Sequence, residues 1–272
     1  MFWNHNQRLS ELENKSIFII REAYSNFRNI ALLWSCGKDS TTLLWLARQA
    51  FFGKIPFPVI HIDTSYKFHE IYEFREKISR QWNLNLIISQ NEEALKNGTS
   101  PQTGKFQCCH ALKTKALKQT LKKYNFRALL LAIRRDEHGI RAKERFFSPR
   151  NLDFFWDYQN QPAELWNLYQ SRLAAENHFR IHPLLEWTEL EVWEYIKEKK
   201  IPVVENLYFA RGGQRFRSIG CQTCCQPVAS GASNLKKIIR ELKTTRIAER
   251  SGRAQDKEDT YTMQKLRSLG YM

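Results

Sequence analysis

No run of about 18 apolar residues occurs in this chain of 272, so no membrane-spanning helix is expected. The opening MFWNHNQRLSELENK lacks a basic segment leading into an apolar one, which argues against a secretory leader. A cytoplasmic location with reduced thiols is the expectation that follows. Internal repeats and low-complexity tracts are also missing. Acids are in short supply: 28 Asp and Glu stand against 43 Lys and Arg, a net charge of +15. Between Pro101 and Arg127 there is no acid at all, but Lys105, Lys113, Lys115, Lys118, Lys122, Lys123 and Arg127 are present. A second tract holds Lys236, Lys237, Arg240, Lys243, Arg246, Arg250 and Arg253. Such a balance favours an acidic partner, and two tracts suit a long polyanion better than a lone nucleotide; plain solubility is the alternative.

What is present alternates between apolar runs and helical patterns. Strands are expected at Ile30–Trp34, Pro58–Ile62, Leu84–Ile88 and Ala128–Ile133, with helices over Ser40–Phe52, Phe68–Trp82 and Leu112–Tyr124 between them. Strands that are apolar throughout and separated by helices imply an α/β fold, a parallel sheet with helices on both faces. A helix over about Asn6–Phe27 precedes this unit. Later, Phe146–Asn177 reads as a long loop, His182–Leu185 as a short strand, and Thr188–Lys199 as a helix capped by Thr188 with Glu191. Helices over Asn234–Thr244 and Thr260–Leu269 close the chain. The expected division is an N-terminal helix (1–27), a main domain (28–205) and a mostly irregular or helical, cysteine-bearing basic region (206–272).

The segment LLWSCGKDSTTLL, Leu32–Leu44, carries the strongest chemical signal. A tight turn between a buried strand and a helix start presents backbone N–H groups and a helix dipole to an anion. Ser35, Gly37, Lys38, Asp39 and Ser40 form that turn; glycine permits close approach, Lys38 adds charge, and Ser35, Ser40 and Thr41 add hydroxyls. The spacing is not that of a Walker A loop. Directly after the second strand, HIDTSYKF places His61, Asp63 and Thr64 at the sheet's carboxyl edge, where ligands bind in open parallel sheets. Asp63 can accept from a ribose hydroxyl or help hold Mg²⁺; a helix cap is the alternative. After the fourth strand, IRRDEHGIRAKERFF brings Arg134, Arg135, Asp136, Arg141, Lys143 and Arg145 to the same edge. Cations there suit a reaction that spreads negative charge over a phosphate.

The turn resembles the pyrophosphate-binding loop of ATP pyrophosphatases, with Cys36 where a glycine is usual. SCGKDS, HIDTSYKFHEIYEFRE, RRDEHGIRAKER, NQPAELWN and TTRIAERSGRAQD follow one another as in the phosphoadenosine phosphosulfate reductase family. The likeness covers nearly the whole chain and is nearest to sulfate adenylyltransferase small subunits and DNA phosphorothioation ATP pyrophosphatases. It implies an adenine-nucleotide α-hydrolase-like fold and oxyanion attack on the α-phosphate of ATP, with Mg²⁺. It also implies that the loop residues hold the phosphates, that Lys38, Asp39, Arg134, Arg135 and Asp136 serve catalysis, and that Arg253 closes over the site.

Cys108-Cys109 and Cys221-x-x-Cys224-Cys225 depart from the small-subunit pattern. They resemble the [4Fe–4S] ligands of adenosine phosphosulfate reductases, with Cys108, Cys109, Cys221 and Cys224 as the four thiolates. Zinc or unmetallated thiols are the alternatives. No cysteine follows Cys225, so reduction of a sulfonucleotide is disfavoured. Cluster, loop and basic surface together lead to the expectation of an enzyme activating a DNA backbone phosphate for sulfur insertion, with a cysteine desulfurase as partner. The alternatives are a sulfate adenylyltransferase small subunit working with a GTPase large subunit, and a non-catalytic nucleotide sensor.

Overall fold

Short apolar runs, buried along their whole length, build the middle of the sheet, and amphipathic helices cover it. A computed structural model of the chain describes residues 5–159, 161–169, 178–252, 265–266 and 268–270. In order, α1 (His5–Asn26) leads to β1 (Ile30–Leu33), α2 (Lys38–Ala50), β2 (Val59–Ile62), α3 (His69–Gln81) and β3 (Leu86–Ser89). Then come α4 (Glu92–Lys96), α5 (Lys105–Cys109), a π-helical turn (His110–Lys115), α6 (Ala116–Lys123) and β4 (Ala128–Leu130). Strands β5 (Phe147–Arg150) and β6 (His178–Ile181) precede α7 (Glu189–Lys199) and α8 (Glu205–Tyr208). A hairpin of β7 (Gln214–Arg215) and β8 (Val228–Ala229) and the helix α9 (Leu235–Leu242) follow.

The main sheet runs β3-β2-β1-β4-β6-β5. All pairings are parallel except that of β5 with β6. Successive strand residues face opposite layers, as the two-residue period requires. Ile30, Leu32, Ala128 and Leu130 join one core with residues of α1, α2 and α7. Ala31, Leu33, Leu129 and Leu131 join another with Ala116, Leu117 and Leu121 of α6. The order reverses at β1, whose neighbours are β2 on one side and β4 on the other. That reversal opens a crevice at the carboxyl ends of β1 and β4, which is where the loop and the arginine segment emerge.

Three elements differ from expectation. The late strand is His178–Ile181, and Pro183 to Glu186 form a turn instead. Its alternation of His178 and Arg180 with Phe179 and Ile181 hides it from an apolar search, yet all four are buried. Within the supposed loop, Phe147–Arg150 forms the antiparallel edge strand, so the sheet is mixed; Pro149 is tolerated because an edge strand can spare a donor. The helical stretch expected at Leu112 begins at Lys105 and carries the π turn. Most of the expected Thr260–Leu269 helix lies outside the described residues. The Thr188 cap is as expected: its hydroxyl accepts the Glu191 N–H, and the Glu191 side chain returns to the Thr188 N–H.

Candidate active site

Strand β1 delivers Trp34 to its carboxyl end, where the Trp34 indole N–H donates to Thr41 Oγ1 (3.1 Å) and ties the loop to α2. Ser40 Oγ accepts from the Ser35 N–H (3.2 Å) and donates to the Gly37 carbonyl (3.2 Å), closing the turn on itself. The left-handed residue is Cys36 (φ 62°), whereas Gly37 is ordinary at φ −76°. A Cβ at 37 would stand 3.4 Å from Ser35 Oγ and 3.6 Å from the Tyr208 hydroxyl, which are ordinary contact distances. Tyr208 accepts the Lys38 N–H at 2.9 Å.

Lys38 and Arg134 are the centre of the arrangement. Both side chains are fully buried, and they arrive from opposite sides of the crevice. Lys38 Nζ contacts Asp39 Oδ2 (3.0 Å) and Glu249. Arg134 Nε donates to Asp39 Oδ1 (2.8 Å), Nη1 to Asp136 Oδ1 (2.6 Å), and Nη2 to Glu249. Burial alone would lower the proton affinity of Lys38, but Asp39 and Glu249 outweigh it and hold the ammonium charged. The same balance keeps Glu249 ionised: burial disfavours its charge, and Arg134 and Lys38 more than reverse that. Asp136 moves the other way, pushed up by burial, while its Oδ2 accepts the Glu189 N–H at 2.8 Å.

A cavity of about 130 Å³ opens in front of this group. Leu131, Ala132 and Ile133 form an apolar wall; Ser35, Gly37, Lys38 and Ser40 form the cradle; Lys67, Lys113, Arg141 and Arg250 bring further cations. The fold brings Ser35, Gly37, Lys38, Asp39, Ser40, Arg134 and Asp136 of the expected set together. Arg135 turns elsewhere, to Glu186 (3.8 Å) and the ring of Phe146. His61 lies beneath the loop, its Nδ1 3.0 Å from the Trp34 carbonyl and 3.7 Å from Cys36 Sγ. Burial, with Lys67 and Arg75 nearby, pushes its pKa down to about 3, so it supports the loop as a neutral ring. Asp63 is engaged by the Ser65 N–H (2.8 Å), the Tyr72 hydroxyl (2.9 Å) and Arg75 (3.6 Å). Thr64 Oγ1 lies 3.2 Å from Cys221 Sγ. Arg253 lies outside the described residues.

Two residues escaped the sequence reading. Tyr208 had no local signal. Glu249 sits within the quoted TTRIAERSGRAQD segment and was passed over in favour of its arginines.

The cysteines gather beside the cavity. Cys108 and Cys109 end α5 and face Cys221 and Cys224 closely enough for their charges to interact. Burial, then the neighbouring thiols, pushes Cys108 up to about 12, and burial likewise raises Cys224. Lys113, from the π turn, reaches Cys109 Sγ at 3.5 Å. The Cys221 segment is stitched to the loop after β2 by the Lys67–Cys221 bridge and by the Gln222 N–H to the Tyr66 carbonyl (2.8 Å). Cys225 points apart, accepting the Gly220 N–H at 3.0 Å. Among the described residues, no three His, Cys, Asp or Glu side chains are grouped to hold a single metal ion.

A mixed sheet with a phosphate-type loop at its switch point defines an adenine-nucleotide α-hydrolase-like protein. Comparison with known proteins makes this specific. The phosphoadenosine phosphosulfate reductase domain matches residues 29–227, and the chain belongs to that family. It is 41% identical to sulfate adenylyltransferase subunit 2 of Geotalea daltonii over 293 residues, covering 97% of each chain. The same subunit of Stutzerimonas stutzeri is 40% identical over 298 residues, again with 97% of both covered. Among solved structures, Candida glabrata FMN adenylyltransferase shares the fold (TM-score 0.58, 16% identity, 82% of this chain and 66% of that one). Candida auris phosphoadenylyl-sulfate reductase does too (TM-score 0.53, 18% identity, 84% and 99%). The chain is an adenylyl-transferring enzyme.

These findings overturn the expectation of DNA phosphorothioation with a cysteine desulfurase. Identity near 40% runs through the whole length, not only the nucleotide-binding part that all members share. The charge argument behind that expectation also weakens in the fold. Lys38, Lys113, Arg134, Arg141 and Arg250 are buried in or around the site, so these five cations do not form an outer face for a polyanion. No described helix is long and apolar enough to cross a membrane.

Proposed function

We propose that this chain adenylylates sulfate. A sulfate oxygen attacks the α-phosphorus of ATP, the bond to the bridging oxygen breaks, and pyrophosphate leaves with the electron pair. Adenylyl sulfate is the other product. The observation that carries this reading is the pair of buried cations, Lys38 and Arg134, set across the switch point in a chain so similar to sulfate adenylyltransferase subunit 2. Adenine lies against Leu131–Ile133, and the β- and γ-phosphates take the N–H groups of the loop with Ser35, Gly37, Lys38 and Ser40. Arg134 faces the α-phosphate, where negative charge grows as the leaving group departs. Asp39 and Asp136 keep that guanidinium oriented. Asp39 would be the carboxylate that holds Mg²⁺ with the triphosphate, and the ion would supply charge neutralisation there.

The relatives are named as one subunit of an enzyme, and we infer a GTPase large subunit as partner. The test is pyrophosphate release from ATP by the chain combined with such a subunit. Release that depends on sulfate supports the reading; release indifferent to sulfate overturns it.

A second inference concerns the four thiols. Cys108, Cys109, Cys221 and Cys224 form an all-thiol donor set from two facing segments, which suits a soft metal centre. A single zinc ion would need all four sulfurs about 2.3 Å from one point. A [4Fe–4S] cluster takes one thiolate per iron and tolerates the wider grouping, so we favour it. Such a centre would supply redox or structural chemistry beside the nucleotide. Iron, zinc and acid-labile sulfide analysis of protein purified without oxygen tests this: four irons and four sulfides support it, and no metal refutes it.

A further inference from the structure

Glu249 belongs to the ion network of the cradle, yet the proposed reaction does not use it. It reaches Lys38 and Arg134 from 211 and 115 residues away in sequence, and its side chain is buried. One carboxylate oxygen meets the ammonium and the other meets the guanidinium. That is how a phosphate oxygen pair would bridge the same two cations. Carboxylate and phosphate therefore compete for one place.

The segment bearing Glu249 is built for such exchange. Lys243, Thr244, Arg246, Ile247 and Ala248 are exposed, so little apolar burial holds the approach to it. What holds it is polar. Arg217 Nη1 donates to the Ile247 carbonyl (2.6 Å), Arg250 Nη1 donates to Glu137 Oε1 (3.0 Å), and Glu249 itself sits on the two cations. With little apolar burial, such a segment opens once another anion takes over its polar contacts. Arg250 lines the same cavity, so opening moves an anion out and frees a neighbouring cation.

We propose that Glu249 is a specificity-determining counter-ion, exchanged for the nucleotide's phosphates and keeping lone sulfate out of the cradle. The proposal rests on the sulfate-adenylylating reading and deepens it. An enzyme whose acceptor is itself an oxyanion must stop that acceptor from settling on Lys38 and Arg134, where it would block ATP. A resident carboxylate already neutralises both cations, leaving a dianion little to gain. A polyphosphate carries more charge and additionally takes the loop N–H groups, so it displaces the carboxylate. Binding is then ordered, with nucleotide first.

The test is calorimetric titration of ATP and of inorganic pyrophosphate into the full chain and its Glu249→Gln variant, each with and without sulfate. Removing the competing carboxylate raises the competent fraction, so the variant binds both ligands about tenfold more tightly. Sulfate then weakens that binding in the variant and leaves the parent protein unmoved. Equal or weaker binding by the variant, or equal sensitivity to sulfate, overturns the proposal while leaving the adenylylating reading standing. Failure of both proteins to bind either ligand removes that reading and this one together. Should Glu249→Gln fail to fold, limited trypsin digestion of the parent protein decides. Pyrophosphate accelerates cleavage after Arg246 if Glu249 is displaced, and unchanged or slower cleavage refutes it.

Discussion

The phosphate cradle and the thiol corner lie at one sheet edge, but they are completed by different means. In the cradle each buried charge has an opposite charge in contact. Lys38 has two carboxylates and Arg134 has three, so both cations are held charged by the protein's own side chains. In the thiol corner burial dominates instead. Burial pushes Cys108 and Cys224 toward the neutral thiol, and Lys113 offers one modest contact at 3.5 Å. Backbone contacts tie the Cys221 segment to the loop after β2. One centre is preorganised by electrostatics and the other by chain path.

The largest effect should come from breaking the ion network. Arg134→Ala leaves Asp39, Asp136 and Glu249 without their shared cation, a loss of about 3–5 kcal/mol for a buried pair of this kind. Adenylyl transfer should fall about a thousandfold or more, as for other arginines that meet transferring phosphates. Urea unfolding and pyrophosphate release read the two separately. Arg134→Lys should recover stability better than rate, because a point charge cannot serve three carboxylates and a phosphate at fixed angles.

Next, Lys38→Met should lower the rate about a hundredfold by removing one aimed donor from the developing charge. It should also release Glu249 from one of its two cations, visible as faster trypsin cleavage near Arg246. If rate falls without that change, the network is not shared as drawn.

His61 sharpens the comparison from below the loop. It is neutral in the fold, with a pKa pushed down to about 3, while in the unfolded chain it titrates near 6.5. Between those values the unfolded state binds the extra proton, so stability drops as pH falls from about 6.5 toward 3, by at most about 1.4 kcal/mol per pH unit. Above pH 6.5 the residue contributes no slope. Melting curves of His61→Gln should show a shallower acid dependence than the parent; an identical one would mean that His61 is protonated in the fold.

The smallest effect belongs to the thiol corner. Cys108→Ser with Cys221→Ser should abolish any metal content yet leave ATP affinity within about twofold, because the network around Lys38 does not include those sulfurs. A larger change would mean that the two centres are coupled through the loop after β2.

Much of this was legible from residue order alone. The loop from Ser35 to Ser40, the strands at Ile30 and Val59 and the Thr188 cap follow from local chemistry: apolar runs, a helix start and a reciprocal capping pair. Strand β6 was not, because His178 and Arg180 look exposed until the fold buries them, and β5 was hidden by Pro149. Arg134 and Arg135 are adjacent and chemically alike, so sequence could not separate them. Backbone direction sends one into the cradle and the other to Glu186.

The sequence by itself determined the layered α/β fold, the place of the phosphate loop and the reservoir of thiols and cations, since each depends on short-range pattern. Only the tertiary structure decided which charges meet. Tyr208 on the Lys38 amide, Glu249 across Lys38 and Arg134, and Cys108 opposite Cys221 all join residues more than 100 positions apart. No local propensity encodes such pairs. They arise because the strand order reverses at β1, and the crevice left there draws in whichever distant side chains can satisfy its buried charge.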